Sequence, residues 1–129
     1  MRKQGVLLIN LGTPDSPSVP DVRKYLDEFL MDERVIDIPA INRTLLVKGI
    51  IVPFRGPKSA KIYKQLWGEN GSPLLYYGIR AQQLLQEKLG SGYSVELAMR
   101  YQSPSIKSAL ESLKKQQVES IRVVPLLPQ

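Results

Sequence analysis

Arg55, Ser72, Arg100 and Tyr101 are the residues whose types and places in the chain suit ligand chemistry. An arginine fork binds a carboxylate through two parallel charge-assisted hydrogen bonds, which fix both the position and the plane of the anion. With many apolar side chains beside them, these residues suit a large, flat, apolar ligand that carries carboxylates. What the sequence lacks excludes other chemistry. It has no histidine, so no imidazole can serve as general base, proton shuttle or metal ligand near neutral pH. It has no cysteine, which removes disulfides, thiolate metal sites and thiol nucleophiles. The acidic residues show no close metal-loop spacing, so this segment is assigned neither a metal ligand nor a catalytic residue. After the first apolar run the chain reads Asn10-Leu11-Gly12-Thr13-Pro14. That is neither the spaced glycines of a dinucleotide fold nor the Gly-Lys-Ser/Thr of a P-loop.

These residues need elements to hold them. Gly5 to Asn10 is a short apolar run ending in turn residues, as expected of a strand buried on both faces of a parallel sheet. Ser18 is placed to cap a helix over Pro20 and Asp21, with Val22, Tyr25, Leu26, Phe29 and Leu30 as its apolar stripe. From about 31 to 71 the pattern is less regular and reads as an excursion from the sheet. It holds an extended piece at Val35 to Ile38, a helix from Ile41 to Val52, a break at Pro53 to Pro57, and a shorter helix to Trp67. Ser72-Pro73 is a cap followed by a first-turn proline, and Leu74, Tyr77, Ala81, Leu84, Leu85 and Leu89 form the stripe of the helix it opens. Tyr93 to Met99 reads as a second strand, Ser103-Pro104 as a second cap-and-proline start, and Ile121 to Val124 as a third strand.

Strand, helix and strand within about 35 residues is the size of a right-handed βαβ unit. The fold class is therefore α/β, an open parallel sheet flanked by helices, in one domain over residues 1–129. Ligands of such sheets lie outside the carboxyl ends of the strands, so the turns beginning at Leu11, Arg100 and Pro125 are the places to look. The last strand is followed by no covering helix, so the chain is expected to be a portion of a longer protein.

The chain has 129 residues, 43% of them hydrophobic, and a formal charge of +6 spread without a like-charge run. A basic face of this kind attracts nucleic acid, anionic headgroups or a small polyanion, and charge alone does not choose among them. The apolar run Val6 to Ile9 is too short for a signal-peptide core, so a cytoplasmic location is expected. The longest nearly apolar stretch, Thr44 to Phe54, is interrupted by Lys48 and is shorter than the roughly 20 residues a spanning helix needs.

LLINLGTP (Leu7 to Pro14), YKQLWGENGSP (Tyr63 to Pro73), MRYQSP (Met99 to Pro104) and the closing VVPLLPQ (Val123 to Gln129) resemble ferrochelatase motifs, in the same order. The resemblance runs from end to end and implies the amino-terminal portion of a protein with two Rossmann-like halves around a porphyrin cleft. It implies that the complete protein inserts ferrous iron into a porphyrin in heme biosynthesis. Its substrates would be Fe2+ and porphyrin, with no tightly bound cofactor. It places Leu11 beside the macrocycle, Arg55 and Ser72 near the propionates, Arg100 and Tyr101 on the pocket wall, and Phe29, Leu30, Val35 and Ile36 in an apolar lip. The family's catalytic histidine and acidic partner lie beyond Gln129. Two departures stand out: Leu127 occupies the place of a tyrosine in the closing motif, and Leu11 has no hydroxyl with which to contact a metal. Ser72 is also explained by capping, and Phe29, Leu30, Tyr63 and Trp67 by packing. A second reading is a non-catalytic tetrapyrrole-binding or membrane-surface module, with peripheral membrane contact. Nucleic-acid binding rests on charge alone and is not expected.

Overall fold

In the computed structural model, which describes residues 3–126, the first apolar run forms strand β1 (Gln4–Gly12). The chain divides into two units, one of residues 1–13 and 74–129, the other of residues 14–73. The first holds β1, helix α4 (Pro73–Leu89) from its second residue, strand β2 (Tyr93–Tyr101), helix α5 (Ile106–Lys115) and strand β3 (Ser120–Pro125). The three strands are parallel in the order β2-β1-β3, so the expected α/β parallel sheet is present. The expected strand–helix–strand unit differs in one respect: its strands are not neighbours, because β1 lies between them. β1 is the most continuously apolar of the three, and the central position buries a strand on both faces.

Alternation along the strands sends successive side chains to opposite faces. Val6, Leu8, Val95 and Leu97 pack with Leu75, Leu85 and Leu89 of α4. Leu7 and Ala98 pack with Ala109 and Leu113 of α5. Both strands beside the candidate site outrun their sequence-based limits, β1 through Gly12 and β2 through Tyr101. Leu11 and Arg100 are thus the penultimate residues of their strands rather than the first turn residues.

The apolar stripe expected on α4 is corrected in part by the structure, Leu85 and Leu89 facing the sheet as expected. Leu74, Tyr77, Ala81 and Leu84 are exposed, while Leu75, Gly78, Leu85 and Leu89 face the sheet. Two glutamines explain the rotation. Gln82 Nε2 donates to the Val95 carbonyl (2.8 Å), Gln86 Nε2 to the Tyr93 carbonyl (2.8 Å), and the Val95 amide donates to Gln86 Oε1 (2.9 Å). These bonds occupy backbone groups of edge strand β2 that would otherwise invite another strand. The cap of α5 is also moved. Ser105, not Ser103, accepts from the Ser108 amide (3.1 Å), because the Pro104 carbonyl is engaged by the Met99 amide (2.7 Å).

The second unit begins with α1 (Val19–Met31), where Ser18 Oγ accepts from the Asp21 amide as the cap expected of it. Val22, Tyr25, Leu26 and Leu30 are its buried face. The extended piece expected at Val35 to Ile38 is instead a turn, since the amides of Val35 and Ile36 both donate to the Asp32 carbonyl and Asp32 Oδ1 accepts from the Arg34 amide. Aspartate commonly builds such local turns. The expected helix, break and second helix are one continuous path: α2 (Ala40–Leu46), a π-helical stretch (Val47–Ile51) and α3 (Val52–Leu66). The Val52 amide donates five residues back to Val47, and Pro53 sits in the first turn of α3, where a missing amide costs least. The excursion expected over 31–71 therefore belongs to a larger unit that starts with α1. Residues 127–129, including Leu127 of the closing motif, lie outside the described residues.

Candidate porphyrin-binding site

The register of β1 against β2 assembles part of the candidate site within the first unit. Asn10 pairs with Met99, and Gly12 with Tyr101. Leu11 and Arg100 therefore stand side by side at the carboxyl ends of neighbouring strands, and by alternation they share one sheet face. The Leu11 amide is held by Asn10 Oδ1 at 2.8 Å. Tyr101 is buried and Arg100 exposed, with the guanidinium carbon 4.9 Å from the centre of the Tyr101 ring. A guanidinium stacked on an aromatic face has its fork held in one orientation, the condition for planar recognition of a carboxylate.

Gly12 shapes this strand edge in a way its place in a turn does not suggest. Its φ is +140°, and a Cβ added there would lie 2.4 Å from the Tyr101 carbonyl oxygen. Only glycine lets β1 pass so close to β2 at this point. The sequence signal was the glycine following an apolar strand, which reads as punctuation until a partner strand is set beside it.

In the second unit, Arg55 is exposed on α3 and Ser72 is buried immediately before α4. Leu30 is buried, Ile36 half-buried and Val35 exposed, and the half-buried Phe29 stacks on Tyr25 with ring centres 6.0 Å apart. Tyr25 meets Tyr63 edge-on at 6.3 Å, and Tyr63 meets Trp67 likewise at 6.3 Å. The aromatic groups of this unit thus pack on one another. Burial pushes the Tyr63 hydroxyl above the usual phenol value, partly offset by a hydrogen bond with Tyr25. A phenol so held keeps its proton and is a poor base.

A different apolar surface stands open in the same unit. Ile41, Leu45 and Phe54 are 75%, 66% and 73% exposed along the α2–α3 path. Lys48, Arg55, Lys58 and Lys61 are exposed on that path as well. No helix among the described residues is long and apolar enough to cross a membrane, and no cluster of acidic side chains among them is arranged to hold a metal ion.

The ferrochelatase family model matches residues 3–129. The chain belongs to the ferrochelatase family. It is 50% identical to the ferrochelatase of Coxiella burnetii (strain Dugway 5J108-111) over 98% of this chain and 36% of that protein. It is 49% identical to the ferrochelatase of Legionella pneumophila (strain Paris), over 98% of this chain and 38% of the relative. The Hamiltonella defensa subsp. Acyrthosiphon pisum (strain 5AT) ferrochelatase is also 49% identical, over 98% of this chain and 40% of its own length. The chain thus spans well under half the length of these ferrochelatases.

Proposed function

We propose that the complete protein inserts ferrous iron into a porphyrin, and that this segment supplies part of the wall that grips the macrocycle. The observation that carries the proposal is the pairing of β1 with β2 in a ferrochelatase-family chain. It brings Leu11, Arg100 and Tyr101 to one carboxyl edge of the sheet. In this reading Leu11 offers an apolar contact to the ring, Arg100 meets a carboxylate through its fork, and Tyr101 backs the arginine. Arg55 and Ser72 contribute further polar contacts to the propionates. Metallation requires the planar ring to bend and its two pyrrole protons to leave as the metal enters. Rigid contacts along the ring favour the bent form closer to the transition state. Without a histidine in these residues, proton removal falls to groups elsewhere in the complete protein.

Replacing Arg100 tests this directly. In the complete protein, Arg100→Ala is expected to lower kcat/KM for metal insertion by about tenfold to a hundredfold, as expected for a lost charge-assisted carboxylate contact. The melting temperature should hardly move, because an exposed cation–π contact contributes only about 0.5–1 kcal/mol. An unchanged rate removes Arg100 from the site.

The exposed apolar residues on α2–α3, with basic side chains on the same path, support a second role: peripheral contact of a cytoplasmic protein with an anionic membrane surface. Flotation with phosphatidylglycerol vesicles measures it. Ile41→Glu combined with Phe54→Glu should cut the bound fraction by about fivefold or more. Equal flotation of variant and parent would end this reading.

A further inference from the structure

Helix α3 continues through a proline that ought to interrupt it, and the reason lies in a side chain of α1. Pro57 has no amide hydrogen, so the carbonyl of Pro53, four residues earlier, loses its helical partner, and a proline ring also crowds that carbonyl. Arg23 Nη2 donates to this same carbonyl at 3.1 Å. The residue before the proline is Gly56, and a Cβ there would lie 2.5 Å from Arg23 Cγ and 2.9 Å from its Nε. The glycine therefore leaves the channel through which the arginine arm crosses the helix. One turn along α1, Asp27 pairs with Lys48 of the π-helical stretch at 3.4 Å. The backbone that carries Arg55 is thus fastened on both sides from one face of α1.

We infer that Arg23 is a positioning residue for Arg55, its guanidinium standing in for the amide that Pro57 lacks. The inference rests on the reading that Arg55 grips a porphyrin carboxylate. Without Arg23 the Pro53 carbonyl turns to water, α3 loosens between Pro53 and Pro57, and the Arg55 fork loses its fixed origin. An alanine at position 57 restores an ordinary amide for the carbonyl and makes Arg23 dispensable.

The test is a cycle of Arg23→Ala and Pro57→Ala in the complete enzyme, beside Arg55→Ala. Metallation is followed with a porphyrin bearing free propionates and with its dimethyl ester. With Pro57 present, Arg23→Ala should raise KM for the free acid by about threefold to tenfold, on the scale of one ordinary hydrogen bond because the loss reaches Arg55 only through the backbone, with kcat retained. KM for the ester should stay unchanged. In the Pro57→Ala background the same change should cost less than about twofold, because the amide now fills the gap. An equal penalty in both backgrounds overturns the inference while leaving the role of Arg55 intact. A normal KM in Arg55→Ala removes that role instead, and the inference falls with it. If Arg23→Ala does not fold with Pro57 present, folding of the double variant supports the inference and failure of both overturns it.

Discussion

Residues 1–129 on their own, given a free-base porphyrin and zinc or ferrous ion, are expected to form metalloporphyrin no faster than the protein-free background, while the complete protein turns over. The two pyrrole protons must be accepted by some group near the ring, and the chain contains no histidine. Several of the other polar groups are unsuited by position or by chemistry. Glu96 lies in mid-strand, where Ser112 Oγ at 2.8 Å and Gln116 Nε2 at 3.3 Å both donate to its Oε1, which ties that oxygen to α5 and the residue after it. Ser94 Oγ hydrogen-bonds Gln116 Oε1 and closes the same network. The phenol of Tyr63 is biased towards keeping its proton. A positioned base contributes about a hundredfold to ten-thousandfold, and the deficit relative to the complete protein should be at least the lower figure. Initial rates of the visible absorbance change would decide it. Comparable turnover by the two would show that the base lies within these residues.

The parts of the fold that were readable from the sequence are those in which hydropathy alone decides the outcome. The run from Gly5 to Asn10 had to be a strand buried on both faces, and the stripe from Val22 to Leu30 behind the Ser18 cap had to be a helix with those residues inward. Where polar groups decide, hydropathy misled. On α4 the side facing the sheet is chosen by Gln82 and Gln86 seeking the free backbone of β2. A periodicity count treats those glutamines as solvent-facing. The prolines of α3 misled for a related reason. Pro53 and Pro57 signal a break locally, and the first-turn position, the π-helical stretch and Arg23, thirty residues upstream of Pro53, together remove the need for one.

The same contrast holds at the candidate site. Arg100 and Tyr101 stood out because the end of a parallel strand is where such folds meet their ligands. Gly12 and Arg23 did not, since each matters through one long-range contact with a backbone carbonyl, and neither carbonyl announces itself in the sequence. The exposure of Ile41, Leu45 and Phe54 was hidden by the supposed break, which divided a single helical path into two short pieces.

Gly12→Val is expected to be the most damaging single substitution in the sheet. Two costs fall on the same residue. A valine must adopt φ near +140°, which β-branched residues avoid, and its Cβ would stand 2.4 Å from the Tyr101 oxygen and 3.2 Å from the Tyr101 carbonyl carbon and Cβ. The contact is with backbone in a paired strand, so no rotamer change relieves it. The strands must separate at the Gly12–Tyr101 pair. Backbone strain and overpacking each cost about 1–3 kcal/mol, so a loss of about 3 kcal/mol or more is expected from urea unfolding of the complete protein. Gly49→Ala is the control. A Cβ at Gly49 meets nothing within 4 Å, and alanine there should change stability by no more than about 1 kcal/mol, with helix propensity in its favour. If the Gly12 variant still folds in the cold, porphyrin metallation should fall with it, because separating the strands carries Tyr101 and the guanidinium stacked on it away from Leu11. A Gly12→Val protein that unfolds at the parent's urea concentration would mean that the two strand ends do not approach as closely as this pairing requires, and Leu11, Arg100 and Tyr101 would no longer form one edge.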